Sequence, residues 1–217
     1  MSAAQMAEIM AMDDAARFGM VSIDRLEWRD GSDAIGWEGT AWYGGDYNKL
    51  VLKSEGEWIE DETTHTRTEL LWDRVASRWW SVQAGLRHDS GDGPSRTWAA
   101  LGAEGLAPYW IDMEATLYVG DAGRTAVRFE GSHDMRVTQR LILQPQLEFN
   151  AYGKDDIERG IGSGLSDLEA GLRLRYEIRR EFAPYIGVHW KRLFGGTADL
   201  ASDDSESEFV AGFKVWF

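Results

Sequence analysis

Apolar and polar residues alternate along most of the chain, in segments of about ten residues separated by turns rich in Gly, Asp, Asn, Ser or Pro. In the segment 110–119, Ile111 and Met113 lie on one face, whereas Asp112 and Glu114 lie on the other. A period of two predicts a β-strand, because successive side chains of a strand point to opposite faces. Twelve segments follow this pattern, at 20–29, 34–43, 49–59, 64–75, 80–89, 96–106, 110–119, 124–136, 141–152, 166–178, 185–193 and 207–217.

The number and spacing of these segments indicate a barrel that crosses a membrane. Dividing 217 residues by 12 segments leaves about 18 residues for each strand and its connection. A tilted membrane-spanning strand takes roughly 9 to 11 residues. We therefore predict an all-β fold, an antiparallel transmembrane β-barrel of twelve strands over residues 20–217, with ten strands as the alternative. Residues 1–19 are expected to form a periplasmic, Met-containing segment that is helical or irregular.

The polar face of the segments carries many charged residues, and their signs match between neighbouring segments. A polar, charged interior with an apolar exterior is typical of membrane barrels. A soluble antiparallel sandwich with a solvated charged face is the alternative. The expected facing sets, if consecutive segments pair, are Lys53, Glu55 and Glu57 with Arg67, Glu69 and Asp73, and Arg128 and Glu130 with Glu114 and Asp112.

Composition excludes several classes of protein. The chain has 37 acidic and 23 basic residues, a formal charge of -14, which disfavours a nucleic-acid partner. Its mean hydropathy is -0.41, and no uncharged stretch approaches the roughly 18 residues of a spanning helix, which excludes an α-helical membrane protein. Cysteine is absent, so there is no disulfide framework and no thiolate nucleophile.

The ends of the segments also indicate an outer-membrane barrel. Trp and Tyr concentrate there, and such rings favour the membrane–water interface. The connections after even-numbered segments are short, whereas those at 153–165 and 195–206 are long, as in barrels with short periplasmic turns. The last segment alternates to a terminal Phe217, which resembles the signal recognised by the bacterial outer-membrane assembly machinery. The first residues lack the charged and apolar regions of a secretory signal, so we expect an exported chain to be a processed form.

Two groups of residues are candidate metal ligands. Met6, Met10 and Met12 offer thioether sulfur, which suits Cu(I), although their spacing alone favours hydrophobic contacts of a short helix that plugs or caps the barrel. His189 falls on the polar face next to Glu169 and Glu208 if strands pair in order, and it is either a ligand or a hydrogen-bonded wall residue. The carboxylates expected to make the lumen acidic are Glu55, Glu57, Glu69, Asp112, Glu114 and Glu169.

The sequence offers no arrangement for covalent catalysis. Twelve-stranded barrels that hydrolyse lipids place Ser and His on their outer wall, and Ser132 and His133 are adjacent here. Adjacent strand residues point to opposite faces, so these two cannot form a catalytic pair. We therefore expect a protein that is not an enzyme, with an outer-membrane lipid-modifying enzyme and a non-conducting structural barrel as the alternatives.

Several longer motifs are distinctive. They are MDDA at 12–15, LEW at 26–28, WYGGDYNKL at 42–50, KSEGE at 53–57, QAGLRHD at 83–89, RTWAALG at 96–102, GLAPYW at 105–110, QRLILQP at 139–145 and YGKDD at 152–156. Over about residues 12–217, they resemble the copper-resistance protein B family. The resemblance implies an outer-membrane barrel of Gram-negative bacteria that binds periplasmic copper and exports or sequesters it. It also implies copper, outer-membrane lipid and periplasmic copper-carrying proteins as partners. Family members usually carry a Met- and His-rich segment before the barrel, of which Met6, Met10 and Met12 would be the tail.

Overall fold

Twelve strands follow one another in chain order, and each pairs antiparallel with the next. The last strand pairs back with the first, so the sheet closes into a barrel. The computed structural model describes residues 16–59, 62–91 and 93–217. The strands are β1 (Phe18–Arg29), β2 (Ile35–Gly44), β3 (Asn48–Ile59), β4 (Glu62–Val75), β5 (Trp80–Gly91), β6 (Arg96–Ala107), β7 (Ile111–Gly120), β8 (Thr125–His133), β9 (Leu141–Tyr152), β10 (Gly164–Tyr176), β11 (Phe182–Leu193) and β12 (Ser205–Trp216).

All twelve predicted segments are confirmed as strands, and the differences lie at their ends. β1 begins at Phe18 and β11 at Phe182, slightly earlier than the alternation indicated. The eighth segment was expected to run to 136, but β8 ends at His133, and only Met135–Arg136 resume the pairing with β9. The interruption falls at Asp134, whose carboxylate accepts a hydrogen bond of 2.7 Å from Arg175.

The register confirms part of the expected sign pairing and corrects another part. Glu55 lies opposite Arg67, as predicted. Arg128, however, lies opposite Thr116 and not opposite an acidic residue, while Glu130 lies opposite Glu114. The register between β7 and β8 is set by the turn that joins them, and a period-two pattern does not specify that register.

The barrel turns its polar face inward and its apolar face outward. Leu86 and Leu101 are 58% and 62% exposed, whereas the inward-facing Arg87 and Glu69 are 2% and 4% exposed. A soluble barrel or sandwich would bury the apolar face instead. Inward apolar side chains also occur: Tyr118 belongs to a buried cluster along β3 to β8, where it packs with Val51, Leu71, Trp98, Ala100 and Ala126.

The two ends of the barrel differ in their connections. One end, called here the short-turn end, holds the start of β1, the end of β12 and the turns after even-numbered strands, which is the periplasmic arrangement in outer-membrane barrels. The other, called the long-loop end, carries the connections 153–163 and 194–204, the latter with helix α1 (Gly195–Leu200). None of the helices in the described ranges is long and apolar enough to cross a membrane.

Aromatic side chains gather at the short-turn end. Tyr109 and Trp110 are exposed in the turn after β6, and both adopt positive φ values, of 67° and 61°. Such a conformation costs bulky residues about 1–3 kcal/mol each. Trp110 packs edge-on against Trp79, with ring centroids 6.1 Å apart, and Arg78 lies 5.1 Å from the centroid of the Trp79 ring. This cluster matches the interfacial belt that amphipathic rings form in membrane proteins.

A charge placed on the lipid-facing wall tests this orientation. Leu86 lies at the middle of β5 and Val82 near its short-turn end, and both are exposed on the outer face. We expect Leu86→Arg to lower the free energy of unfolding in lipid vesicles by about 2–4 kcal/mol, because an arginine at mid-depth must leave water. Val82→Arg, near the interface, should cost about 1 kcal/mol or less. Equal effects in urea titrations of the two variants would contradict a membrane-spanning strand.

Candidate functional site

The lumen contains a cavity of about 680 Å³ in its short-turn half. Residues near the short-turn ends of the strands, such as Met20, Trp42 and Asp112, line it, and Asp112 is exposed. The lining contains nine acidic and five basic side chains, so acidic side chains outnumber basic ones by four. The carboxylates are Asp24, Glu38, Glu55, Glu69, Asp73, Glu104, Asp112, Glu114 and Glu130, and the cations are Lys49, Lys53, Arg67, Arg128 and Lys214.

Five glutamates form a continuous row across the lumen wall, called here the glutamate row: Glu104, Glu114, Glu130, Glu148 and Glu169. Each lies directly opposite the next on consecutive strands from β6 to β10. At an interstrand spacing of about 4.8 Å, the row extends for about 19 Å. Glu104 lies three residues from the short-turn end of its strand and Glu169 seven residues from it, so the row climbs towards the long-loop end.

Like charges directly opposite each other destabilise a sheet, so the glutamate row needs positively charged partners. Cationic side chains supply them at three places. Lys53 Nζ lies 3.1 Å from a carboxylate oxygen of Glu104 and 2.5 Å from one of Glu114. Lys191 Nζ lies 2.8 Å from Glu169. In the middle, Arg128 Nη2 lies 3.0 Å from Glu148 and 3.5 Å from Glu130.

Other polar contacts cross the lumen instead of joining neighbouring strands. Arg128 on β8 donates to both carboxylate oxygens of Glu55 on β3, at 2.6 and 2.9 Å. Arg173 on β10 makes the same two-point contact with Glu27 on β1, at 2.9 and 3.0 Å. The Tyr118 hydroxyl on β7 donates to Glu69 on β4 at 2.7 Å. These bridges fill much of the interior with paired polar groups, as a charged lumen requires.

His189 lies in the lumen between the two carboxylates that strand order predicted. Its Nε2 is 3.2 Å from Glu169, and its Nδ1 is 3.9 Å from Glu208. Glu208 also accepts hydrogen bonds from the backbone N–H and the hydroxyl of Ser32, at 2.9 and 2.7 Å. The imidazole is therefore a buried wall residue within a polar network. Among the described residues, no group of three His, Asp or Glu side chains is close enough to hold a metal ion.

The other predicted site residues are spread along the lumen. Glu57 pairs with Arg29 at 3.2 Å, and Asp112 faces the cavity. Together with Glu55, Glu69, Glu114 and Glu169 they contribute to an acidic wall but do not converge on one point. Met6, Met10 and Met12 lie outside the described residues.

Three members of the glutamate row, Glu104, Glu130 and Glu148, were absent from the predicted acidic set. Each lies on the polar face of a predicted strand, so the alternation contains the signal for an inward side chain. Their alignment depends on the register of four successive strand pairs, which the pattern alone does not give.

The loop 153–163 is anchored to the opposite part of the long-loop end. Arg96, at the start of β6, donates to both oxygens of the buried Asp156, at 2.8 and 3.0 Å. Arg159 donates to the carbonyl of Pro94 at 2.8 Å, which fixes the loop to the turn after β5. The hydrogen bonds from Arg96 hold the pKa of Asp156 below its ordinary value, and the charges of Arg96, Arg124 and Arg159 act in the same direction.

The fold and its charged lumen define the class of protein as an outer-membrane β-barrel. Among solved structures, the chain resembles a NanC porin, with a TM-score of 0.60 and 14% identity over 90% of this chain and 98% of that one. A KdgM porin gives a TM-score of 0.52 and 13% identity over 92% of this chain and 99% of that one. These likenesses confirm the predicted barrel fold.

The family follows from sequence comparison. The model of the copper resistance protein B precursor (CopB) family matches residues 17–217. A copper resistance protein B of Escherichia coli is 46% identical over 95% of this chain and 72% of its own length. A homologue from Pseudomonas syringae pv. tomato (strain ATCC BAA-871 / DC3000) is 48% identical over 89% of this chain and 68% of its own length. The chain belongs to the copper resistance protein B family and resides in the bacterial outer membrane.

The anchored loop predicts a specific dependence on pH. Because the pKa of Asp156 is lowered from 3.8 in the folded protein, its contribution to loop stability is present above pH 3.8 and is lost as the pH falls through the folded value. We expect hydrogen exchange of the amides in 153–163, corrected for intrinsic rates, to accelerate only below pH 3.8, where Asp156 takes up a proton. Asp156→Asn should show the fast exchange at neutral pH.

Asp121→Asn is the matched control, since it removes a carboxylate from an exposed ion pair with Arg124 on a neighbouring connection. Exposed pairs contribute little to stability. Unchanged exchange in Asp156→Asn, or equal acceleration in both variants, would contradict the anchoring role of Asp156.

Proposed function

We propose that this protein binds copper arriving from the periplasm and exports or holds it within its acidic lumen. The glutamate row carries the proposal: it begins at the short-turn cavity with Glu104 and continues through the wall to Glu169. A field of excess negative charge inside low-dielectric walls raises the local concentration of cations. The cavity thus favours the entry of a cation from the short-turn end.

The available donor atoms suit different oxidation states of copper. Carboxylate oxygen and imidazole nitrogen are ligands that divalent copper accepts, whereas thioether sulfur favours Cu(I). His189 supplies an imidazole beside Glu169 and Glu208 in the lumen, and Met6, Met10 and Met12 would supply thioethers before the barrel. The five carboxylates of the glutamate row contact Lys or Arg, so a copper ion has to compete for each of them. Such competition favours weak, successive binding over one closed coordination site.

Holding copper without conducting it is the second candidate. The bridges from Arg128 to Glu55 and from Arg173 to Glu27 close much of the lumen, which favours retention of the ion. Copper accumulation separates the two candidates. If the barrel exports copper, cells lacking the protein should contain more periplasmic copper than cells that express it. If the barrel sequesters copper, cells lacking it should contain less bound copper.

A lipid-modifying enzyme receives little support. One hydroxyl–imidazole pair does occur on the outer wall, with His88 Nδ1 3.0 Å from Thr97 Oγ1. A catalytic pair also needs a third group to orient the imidazole. Among the described residues, no hydrogen bond to the second ring nitrogen of His88 is present. We therefore propose a protein that is not an enzyme.

The metal ligands can be tested by copper binding to the full chain. His189→Ala should weaken Cu(II) binding to the detergent-solubilised protein, and the triple change of Met6, Met10 and Met12 to Leu should weaken Cu(I) binding. Loss of a ligand should cost at least the roughly tenfold in affinity that loss of a ligand's supporting partner costs. Equilibrium dialysis followed by metal analysis measures both.

His88→Ala provides the matched control, because it removes an imidazole from the outer wall and leaves the lumen unchanged. Equal Cu(II) binding by the original protein and the His189→Ala variant would exclude His189 as a ligand. If neither the lumen variant nor the methionine variant lost affinity, the proposed set of ligands would be wrong.

A further inference from the structure

The bridge between Arg128 and Glu55 crosses the lumen near its widest span. β8 and β3 lie five strands apart in a ring of twelve, where six strands separate opposite walls. Among the described ion pairs and side-chain hydrogen bonds, no other joins strands so far apart. Both nitrogen–oxygen contacts are short, at 2.6 and 2.9 Å, and Arg128 is 8% exposed. Paired contacts of this kind fix the guanidinium in one orientation.

Shorter bridges occupy the space on either side of this central one. On the side of β4 to β7, the Tyr118 hydroxyl reaches Glu69 at 2.7 Å. On the other side, Arg25 on β1 donates to Gln146 on β9 at 3.2 Å. The central bridge therefore divides the interior into two parts, each of which contains a bridge of its own. Arg128 also borders the cavity of the short-turn half, so it lies where that cavity ends.

Two guanidinium groups and three carboxylates meet at this point. Arg67 Nη1 lies 2.7 Å from the same Glu55 oxygen that Arg128 contacts, so two guanidinium groups share one carboxylate. Arg67 Nε is buried and has no hydrogen-bond acceptor among the described residues. The glutamate row contributes Glu130 and Glu148, which lie opposite each other on β8 and β9, at 3.5 and 3.0 Å from Arg128 Nη2. The guanidinium groups are fixed cations in a narrow part of the lumen, and a passing cation has to compete with them for these carboxylates.

We propose that Arg128, held by Glu55, is the residue that closes the lumen, and that ions pass only when this bridge opens. The inference extends the proposed function by assigning closure of the acidic lumen to one bridge. It differs from a general filling of the lumen by side chains, because it predicts that one substitution connects the short-turn cavity with the long-loop half.

Ion conductance of the full chain in planar lipid bilayers tests the proposal, with KCl as the only salt. Arg128→Gln removes the bridge and the positive charge, and we expect conductance to rise at least about threefold as the constriction widens. Arg175→Gln is the matched control: Arg175 is likewise a buried lumen arginine, 6% exposed, but its partners Asp134 and Gln144 belong to neighbouring parts of the wall. Its conductance should stay near that of the original protein.

The double variant Arg128→Gln/Glu148→Gln guards against misfolding, because Glu148 is the carboxylate that loses its cation when Arg128 is removed, whereas Glu55 keeps Arg67. Heat-dependent migration on gels identifies the folded barrel in each sample. If both Arg128 variants fold and conduct like the original protein, the assignment of closure to Arg128 is overturned. It is also overturned if Arg175→Gln raises conductance as much as Arg128→Gln does.

Copper binding, measured separately, distinguishes this inference from the proposed function. Normal copper binding with unchanged KCl conductance in Arg128→Gln would refute the closure role and leave the copper function intact. Raised conductance in a barrel whose full chain binds no copper would support closure by Arg128 and refute the copper function.

Discussion

Charges placed inside a closed barrel must be paired with opposite charges or with hydrogen-bond donors, and this constraint governs the lumen. Two unit charges 4 Å apart interact with about 4 kcal/mol at the effective dielectric of a partly buried site. Removal of one partner of a buried pair costs roughly 3–5 kcal/mol. The contact of Arg173 with Glu27 and that of Arg128 with Glu55 are therefore requirements of the fold as well as features of the lumen.

The pairing of charges that stabilises the barrel also hinders the passage of ions through the lumen. An arginine that neutralises a glutamate across the lumen also blocks the space between them. Lys53, which joins Glu104 to Glu114, neutralises the beginning of the glutamate row and also narrows the cavity there. A cation that enters can replace these positive charges without leaving the carboxylates unpaired. Exchange of a protein cation for a metal cation thus changes the local charge balance less than simple removal of a side chain does.

The sequence predicts those features that depend on neighbouring residues and neighbouring strands. A period of two identifies twelve strands and their inward faces, and pairing in chain order correctly places His189 beside Glu169 and Glu208. Glu55 opposite Arg67 follows from the same reasoning. Fold class, membrane orientation and part of the lumen wall therefore follow from the alternation of residues and from the pairing of consecutive strands.

Contacts across the lumen are not predictable in this way. The bridge from Arg128 to Glu55 depends on the diameter and stagger of the barrel, which set the strands that face each other at one height. The glutamate row depends on exact registers, and the expectation that Arg128 faces an acid on β7 was wrong because the β7–β8 register pairs it with Thr116. An alternation with a period of two determines whether a side chain points inward or outward, but it does not determine the height of that side chain along the barrel axis.

The position of Met20 on the wall of the cavity has a consequence for how ligands are delivered. Because β1 starts at Phe18, any group on the preceding residues is covalently tethered at the mouth of the short-turn end. Met12 is six residues before Phe18, a length of chain that reaches at most about 20 Å. A short tether gives an effective concentration on the order of millimolar. If that segment holds a ligand, its transfer to the cavity is an intramolecular step, independent of the concentration of the protein in the membrane.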